Sequence, residues 1–270
     1  MTAPPDDTLS ALGCLLHELA PVRIAVSGGV DSMTLALLAG RALGDRATML
    51  HAVSPAVPVE ATRRVSEVAA AEGWTLRLVD AGEFADEAYL ANPYDRCFHC
   101  KTHLYRALAC GGGGTLLSGT NTDDLDDYRP GLVAARDHGV RHPFVECGID
   151  KATVRAICRG LGYVEIAELP AAPCLSSRVE TGVRIEPRAL AFVHRVEREL
   201  AAALRPAVVR CRVRRDAVAV ELDAVALGGL LNGAGSAWRE RIAGLAREHG
   251  LPDDIRFEPY RRGSAFVAGR

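Results

Sequence analysis

A glycine and serine segment near the N-terminus has the residue types that bind phosphate groups. It reads Ser27-Gly28-Gly29-Val30-Asp31-Ser32, after a compact apolar run and before an apolar helical pattern. Its glycines let backbone N–H groups approach phosphate oxygens, its serines add hydroxyl donors, and a helix N-terminus adds partial positive charge. Asp31 is the candidate ligand for a magnesium ion. The segment lacks the lysine of a Walker A loop, and the alternative is an ordinary strand-to-helix turn, but two serines and an acid exceed what a turn needs.

A second polar segment follows the predicted fourth strand. Ligands of open α/β sheets bind beyond the carboxyl ends of the strands, so this segment is predicted to face the same nucleotide. Its candidate ATP-binding residues are Gly119, Asn121, Asp123 and Arg129. The aspartates could coordinate the ion that neutralises ATP, and an arginine fork suits a phosphate or a carboxylate. The alternative is a solvated acidic loop.

Two cysteines form a C-x-x-C motif, and a third stands in the loop P-C-L-S-S-R. They are Cys97, Cys100 and Cys174. Three thiolates around a 4Fe-4S cluster would leave one iron without a protein ligand, which suits sulfur chemistry. A closed zinc site would need a fourth ligand, for which His99 or His103 is available. A redox pair or two buried thiols are further interpretations of the C-x-x-C.

Lysine and cysteine usage is unusual elsewhere in the chain. Only Lys101 and Lys151 are lysine among the 32 basic residues, which we attribute to a coding bias rather than to function. Eight cysteines in 270 residues are too sparse for a disulfide scaffold. The cysteines outside the two motifs stand in apolar or helical contexts and are expected to be small core residues. They are Cys14, Cys110, Cys147, Cys158 and Cys211.

The elements that position the candidate residues alternate between strand and helix before Pro170. Strands are predicted at 22–26, 47–53, 76–80 and 115–118, and helices at 8–19, 59–72 and 101–110, with a further helix from Met33. This alternation predicts an α/β fold with a doubly wound, mostly parallel sheet. After Pro170 the prediction is helix 187–203, strands 207–214 and 217–222, helix 236–249 and strand 254–258. We expect a nucleotide domain at 1–169 and a smaller α+β lobe at 170–270.

The composition describes a globular chain with enough apolar material for a core. Of 270 residues, 49% are hydrophobic, which excludes a disordered chain. The net charge is −2, from 32 basic and 34 acidic residues, and argues against a dedicated nucleic-acid binder. The sequence predicts no secretory signal and no membrane span, so we expect a cytoplasmic protein.

Three motifs together resemble those of the LarE family. S-G-G-V-D-S at 27–32 resembles the PP-loop of the ATP pyrophosphatase superfamily, and it is accompanied by G-T-N-x-D-D-x-x-D-Y-R-P-G at 119–131 and P-C-L-S-S-R at 173–178. The resemblance covers most of the chain and implies an adenine nucleotide alpha hydrolase-like fold with a C-terminal lobe for substrate binding and oligomerisation. It implies an ATP-dependent sulfur transferase that forms homo-oligomers. Members of the family adenylate a carboxylate of pyridinium-3,5-biscarboxylic acid mononucleotide and convert it to a thiocarboxylate for the nickel-pincer nucleotide cofactor of lactate racemase.

The resemblance also assigns roles to residues. Cys174 matches the family's sulfur-donating cysteine, and the presence of Cys97 and Cys100 implies the subgroup in which three thiolates hold a 4Fe-4S cluster that carries the transferred sulfide. Sacrificial loss of the Cys174 sulfur is the other known mechanism. The implied substrate-phosphate contacts are Ser177, Arg210 and Arg212, and the implied active-site glutamates are Glu197 and Glu221. The chain departs from the family at Val179-Glu180-Thr181-Gly182, where a hydrophobic residue and Pro-Tyr-Gly are usual.

Strand periodicity agrees with the implied arginine site, because Arg210, Arg212 and Arg214 alternate along one face of a predicted strand. The alternative is a solvated strand face whose charges discourage edge pairing. The expected partners are ATP, Mg²⁺, a small pyridinium nucleotide and sulfide or another sulfur donor, without nucleic acid or membrane. The rival functions are a PP-loop tRNA thiolase, which would need a basic surface for RNA, an ammonia-using PP-loop synthetase, and a non-catalytic nucleotide and zinc sensor.

Overall fold

The structure is a computed structural model that describes residues 6–110, 112–125, 130–171, 173–261 and 263–266. Its helices and strands follow in the order α1 (Asp6–Leu19), β1 (Val22–Ala25), α2 (Val30–Leu43), β2 (Ala47–Ala52), α3 (Val59–Glu72), β3 (Thr75–Val79), α4 (Glu87–Leu90), α5 (Arg96–Ala109), β4 (Thr115–Ser118), α6 (Pro130–Asp137), α7 (Pro143–Glu146), α8 (Lys151–Gly160), α9 (Val164–Ala167), α10 (Pro187–Leu204), β5 (Val209–Val213), β6 (Val218–Leu222), α11 (Ala224–Leu231), α12 (Gly235–Glu248) and β7 (Ile255–Pro259). The chain divides into a first unit, Met1–Glu83 with Cys97–Ala172, and a second unit, Phe84–Arg96 with Pro173–Arg270.

The first unit is built around a parallel sheet. Among the described residues, its strand order is β3-β2-β1-β4, and every neighbouring pair is parallel. Consecutive residues of β2, Met49 and Leu50, enter two different hydrophobic clusters, as Leu117 and Leu116 of β4 also do. Helices α1, α2 and α8 contribute to one cluster, and α5 and α6 contribute to the other. Both faces of the sheet are therefore covered, which confirms the predicted doubly wound α/β class.

The strand order creates a switch point between β1 and β4. From β1 the chain winds outward through β2 to β3, and β4 then pairs with the opposite side of β1. Loops that leave neighbouring strands in opposite directions open a crevice at their carboxyl ends, where doubly wound proteins bind ligands. The loop after β1 contains Ser27–Ser32 and the loop after β4 begins at Gly119, so the topology brings the two predicted nucleotide segments to this crevice.

The second unit is a smaller mixed sheet with helices. Among the described residues, the strand order is β5-β6-β7, with β5 and β6 antiparallel and β6 and β7 parallel. Helix α10 buries an apolar stripe that contributes to the core of this unit and consists of Leu190, Val193, Val196 and Leu200. This arrangement confirms the predicted smaller lobe of mixed α and β structure.

Residues Phe84–Arg96 group with the second unit, although they precede the C-x-x-C helix in the chain. The Tyr89 hydroxyl lies 2.6 Å from the Ser176 hydroxyl, and the fully buried Asn92 donates from Nδ2 to the carbonyl of Glu180 at 2.8 Å. Buried polar groups need such partners, so these bonds tie the segment to the chain around residues 176–183. Sequence periodicity gives no indication of this pairing.

Helix α5 begins at Arg96, five residues before its predicted start at 101. The C-x-x-C motif therefore lies in the first turns of a helix rather than in a loop. The sequence analysis did not include α4, α6, α7, α8, α9 and α11. In the part of the chain that the structure describes, no helix is long and apolar enough to cross a membrane.

Candidate active site

The loop between β1 and α2 is closed by the hydroxyl group of Ser32. The backbone N–H of Ser27 donates to Ser32 Oγ at 3.0 Å, and the hydroxyl of Ser32 donates to the carbonyl of Gly29 at 3.2 Å. The two serine hydroxyls are 3.0 Å apart. Gly29 is the N-cap of α2 and provides no side chain to cap the first-turn N–H groups of the helix. The loop thus has the donors and the dipole of an anion site.

Helix α3 packs on the outer side of this loop. Gly28 has a φ of +84°, and a Cβ at this position would lie 3.0 Å from the carbonyl oxygen of Ala61. Arg64 Nη1 donates to the carbonyl of Gly28 at 2.9 Å. A residue with a side chain would be strained at Gly28 both by its φ and by this contact. The glycine is therefore needed for the loop to lie against α3.

His51, at the end of β2, holds the strand that leads into the loop. It is 1% exposed, its Nδ1 lies 2.7 Å from the carbonyl of Val26, and its Nε2 lies 2.9 Å from the hydroxyl of Thr62. A carbonyl only accepts hydrogen bonds, so Nδ1 carries the proton in the neutral ring and Nε2 accepts from Thr62. Burial lowers the pKa of His51, which favours this neutral form.

Acidification is expected to destabilise the protein through His51. The unfolded chain takes up this proton near the ordinary pKa of 6.5, whereas the folded protein resists it until a lower pH. The free energy of unfolding should therefore fall as the pH drops below about 6.5, by up to about 1.4 kcal/mol per pH unit. Urea unfolding between pH 7.5 and 5.0 measures this pH dependence of the free energy of unfolding, and His51→Asn should lack the contribution of the histidine. His17→Asn, which changes an exposed histidine, serves as the control, and an unchanged slope in His51→Asn would contradict the assignment.

Asp31 meets residues from two other segments in the crevice. Its Oδ2 lies 2.5 Å from Lys151 Nζ, and its Oδ1 accepts from Asn121 Nδ2 at 3.0 Å. Asn121 is 2% exposed, and its Oδ1 accepts from the backbone N–H of Asp123. The backbone N–H of Lys151 also donates to Asp123 Oδ1, at 3.4 Å. The structure thus brings Asp31, Asn121 and Asp123 together, as the sequence analysis expects, and adds Lys151.

Gly119 allows the loop after β4 to lie close to the start of α2. A Cβ at Gly119 would lie 2.7 Å from the backbone carbon of Asp31 and 2.7 Å from the backbone nitrogen of Ser32. Such distances to backbone atoms are not tolerated, so any side chain would push the loop after β4 away from α2. The predicted Arg129 lies outside the described residues. Carboxylate and amide oxygens are ligands that suit Mg²⁺, so the donor set of Asp31, Asn121 and Asp123 fits this ion.

Cys97 and Cys100 lie one turn apart in the first unit, near the start of α5, and both are partly exposed. Residues at i and i+3 share one face of a helix, so both thiols lie on the same side of α5. Cys174 belongs to the second unit and is exposed. Neither unit, in its described residues, contains by itself a group of three or more His, Cys, Asp or Glu side chains placed to hold a metal ion.

The Cys174 loop is held by hydrogen bonds to its carbonyl groups. Cys174 is the N-cap of a 3₁₀ helix at Leu175–Arg178. The hydroxyl of Ser177 donates to the Cys174 carbonyl at 2.7 Å, and Arg178 Nη1 donates to the same carbonyl at 3.2 Å. Ser177 and Arg178 are 7% and 3% exposed. Hydrogen bonds from Ser177 and Arg178 therefore fix the backbone that carries the Cys174 thiol.

Buried ion pairs continue from this loop into the sheet of the second unit. Arg212 Nε donates to Glu221 Oε2 at 3.1 Å, and Arg212 Nη1 donates to the carbonyl of Ser177 at 3.1 Å. Arg212 is 5% exposed and Glu221 is 1% exposed, and Ser264 donates a further hydrogen bond to Glu221. The alternative of a solvated strand face is therefore wrong for Arg212. A buried charge is stable only when it is paired in this way.

Arg210 and Glu197 have different surroundings. Arg210 is half-buried and Nη1 donates to the Val209 carbonyl at 2.7 Å. Burial, and secondarily the positive charge of Arg178, lower the pKa of Arg210. Glu197 accepts two hydrogen bonds from Arg178 and one from the backbone N–H of Cys211. An added anion would relieve the repulsion at Arg210, whereas Glu197 is already fully engaged.

The other cysteines are only partly as predicted. Cys158 and Cys211 are buried, which confirms the core prediction for them, and burial raises the pKa of both thiols. Cys14 and Cys110 are exposed, so the core prediction is wrong for these two. Cys14 lies on the solvent side of amphipathic α1, and Cys110 directly follows the last residue of α5. A helical sequence pattern predicts the helix, but it does not show whether a given cysteine faces the core or the solvent.

Sequence reasoning missed two residues that shape the site, Lys151 and His51, and it named Arg178 only as a donor beside Cys174. A signal was available for Lys151, because lysine is so rare in this chain that each lysine stands out, yet its rarity was attributed to coding bias. Arg178 stands within the P-C-L-S-S-R motif, but its ion-pair partner Glu197 is 19 positions away. No local pattern identifies His51.

The chain is similar over most of its length to known proteins. No protein-family model matches the chain. The chain is 40% identical over 197 residues to the uncharacterized protein slr1717 of Synechocystis sp., covering 71% of this chain and 73% of that protein. It is 29% identical over 227 residues to the pyridinium-3,5-bisthiocarboxylic acid mononucleotide synthase of Lactiplantibacillus plantarum, covering 82% of each. It is 24% identical over 213 residues to the uncharacterized protein MJ0830 of Methanocaldococcus jannaschii.

The parallel sheet with a glycine and serine loop after β1 defines a protein of the PP-loop α/β class. The similarity to the curated relatives extends over most of their length, well beyond this loop. The chain belongs to the same family as slr1717, and it is similar to the Lactiplantibacillus synthase over most of both chains.

Proposed function

We propose that the protein is an ATP-dependent sulfur transferase that converts a carboxylate of pyridinium-3,5-biscarboxylic acid mononucleotide into a thiocarboxylate. The observation that carries the proposal is the meeting of Asp31, Asn121 and Lys151 beside the anion-binding loop. This set combines metal ligands, a cation and N–H donors in one crevice, as the cleavage of a magnesium nucleotide requires. The similarity to the Lactiplantibacillus synthase, which is named for the bisthiocarboxylic acid mononucleotide, supports this substrate.

In the first step a carboxylate oxygen of the substrate attacks the α-phosphorus of ATP. The bond from that phosphorus to the bridging oxygen breaks, and pyrophosphate leaves with the bond electrons. The loop N–H groups and the hydroxyl of Ser27 bind phosphate oxygens, and Lys151 neutralises negative charge. Asp31, Asn121 and Asp123 would hold Mg²⁺, which supplies charge neutralisation when bound. Positioning and electrostatics are sufficient for such a displacement because little covalent chemistry is left to the protein.

In the second step sulfide attacks the carbonyl carbon of the acyl adenylate, and AMP leaves with the bond electrons. The product is a thiocarboxylate. Cys97, Cys100 and Cys174 would hold a 4Fe-4S cluster as its thiolate ligands, and the cluster would supply the sulfide. Thiolates are the protein ligands that such clusters require, so the donor types fit. Arg210 and Arg212 with Ser177, all in the second unit, would bind the substrate phosphate.

Metal analysis distinguishes this proposal from a zinc sensor. Protein purified without oxygen is expected to contain about four iron and four acid-labile sulfide per chain, with a visible charge-transfer absorption band. Cys97→Ala should lose both, because one of three protein ligands is removed. Cys14→Ala, which changes an exposed cysteine of α1, should retain them.

Two results would overturn the cluster assignment. One mole of zinc per chain that depends on Cys97 would favour a zinc site. Protein without metal that still forms thiocarboxylate would favour sacrificial transfer, and a mass loss of about 34 Da at Cys174 after turnover, from the departure of H₂S, would identify it.

A further inference from the structure

We propose that Glu197 and Arg178 form a positioning pair that fixes the Cys174 loop, and that Glu197 acts on the reaction only through Arg178. The family resemblance makes Glu197 an active-site glutamate, but the structure places its carboxylate against a guanidinium and a backbone amide. The consequence for sulfur transfer rests on the proposed function. The positioning itself does not, and it can be measured separately.

Arg178 reaches the backbone on both sides of the reactive thiol. Its Nη1 donates to the carbonyl of Pro173 at 2.5 Å and to the carbonyl of Cys174 at 3.2 Å, and it also donates to the hydroxyl of Ser177 at 2.9 Å. One guanidinium nitrogen is therefore shared by three acceptors of a single loop. The arginine fixes the residues that carry the thiol without contacting the sulfur atom in any described bond.

Glu197 fixes the arginine in turn. Its Oε1 accepts from Arg178 Nε at 3.0 Å, and its Oε2 accepts from Nη2 at 3.1 Å, which is a bidentate pair. Oε1 also accepts from the backbone N–H of Cys211 at 2.9 Å. Since Cys211 belongs to β5 and Glu197 to α10, the pair transmits the rigidity of a strand and a long helix to a short 3₁₀ helix.

This arrangement does not suit an acid or base that exchanges protons with substrate. The side chains of Arg178 and Glu197 are 4% and 13% exposed. Both carboxylate oxygens are occupied by charge-assisted hydrogen bonds from Arg178. Removing either partner leaves an uncompensated buried charge, so each should matter for the loop even when the protein remains folded.

Amide hydrogen exchange measures the positioning directly. Within the loop, the N–H of Ser177 donates to the Cys174 carbonyl and the N–H of Val179 donates to the Ser176 carbonyl. In the full-length protein as purified, exchange in the peptide covering 174–179 is expected to be about tenfold faster in Glu197→Gln and in Arg178→Met, because a hydrogen bond to a charged group is lost. Glu199→Gln is the matched control, since Glu199 lies on the same helix and pairs with Arg195 and Arg241. Unchanged exchange in Glu197→Gln would overturn the proposal.

A double-mutant cycle separates positioning from acid–base chemistry. If Glu197 acts only through Arg178, thiocarboxylate formation in Arg178→Met is not lowered further by adding Glu197→Gln. A proton-transferring Glu197 would make the losses multiply, and that result would overturn the proposal. If Arg178→Met does not fold, as judged by thermal melting, Arg178→Lys replaces it because it keeps the charge but loses the fork. Faster exchange without any sulfur transfer by the wild type would leave the positioning pair intact and reject the proposed function instead.

Discussion

Replacing Lys151 by methionine is expected to lower the rate of pyrophosphate release from MgATP by roughly 100-fold or more. Lys151 Nζ lies 2.5 Å from Oδ2 of Asp31, the proposed magnesium ligand. Methionine keeps most of the side-chain length but removes the charge, so the developing negative charge on pyrophosphate loses a preorganised partner. The loss should appear in single-turnover rates measured with saturating substrates.

The matched control for this change is Arg159→Met. Arg159 lies on α8 with Lys151 but pairs with Glu168, which is largely exposed. Pyrophosphate release should stay within about twofold of wild type in the control, because surface ion pairs contribute little. If Lys151→Met released pyrophosphate at the wild-type rate, the crevice between β1 and β4 would not be the nucleotide site.

Replacing Cys174 by serine is expected to abolish thiocarboxylate formation while leaving pyrophosphate release largely intact. The two steps use different residues, since the nucleotide crevice belongs to the first unit and Cys174 to the second. The thiol is needed whether it is a cluster ligand or the source of the sulfur, because a serine hydroxyl replaces neither. The variant should therefore accumulate substrate adenylate, which mass spectrometry can detect.

Cys110→Ser provides the comparison for this variant, because Cys110 is also exposed but follows the end of α5. It should form thiocarboxylate at the wild-type rate. If Cys174→Ser still converted the carboxylate to a thiocarboxylate, Cys174 would have no part in the chemistry. The loop would then have only a structural role.

The sequence predicts the strands of the first unit well because their signals are local. Alternating apolar runs and helical patterns define the strands, and β4 occupies the predicted positions 115–118. The carboxyl-edge rule then links Asp31 with Asn121, which are 90 positions apart in the chain and joined by a 3.0 Å hydrogen bond. Only the structure explains why residue 119 is a glycine, since any side chain there would clash with the backbone of α2.

What sequence reasoning missed depends on distant partners. Lys151 follows the N-cap Asp150 at the start of α8, a helix whose capping signal was present but was not used. The arginines of β5 were correctly predicted to share a face, but strand periodicity cannot say whether that face meets water or the buried Glu221. Arg178 pairs with Glu197 across 19 positions, and no rule of spacing connects a 3₁₀ helix with the middle of a long α-helix.

The most direct test of the account is pyrophosphate release from MgATP by the full-length protein, with and without pyridinium-3,5-biscarboxylic acid mononucleotide. The account predicts release that depends on this nucleotide and equals the AMP formed, because adenylation by the carboxylate cleaves the α-phosphorus bond. Release of phosphate with ADP, or pyrophosphate release that requires tRNA and ignores the pyridinium nucleotide, would contradict it.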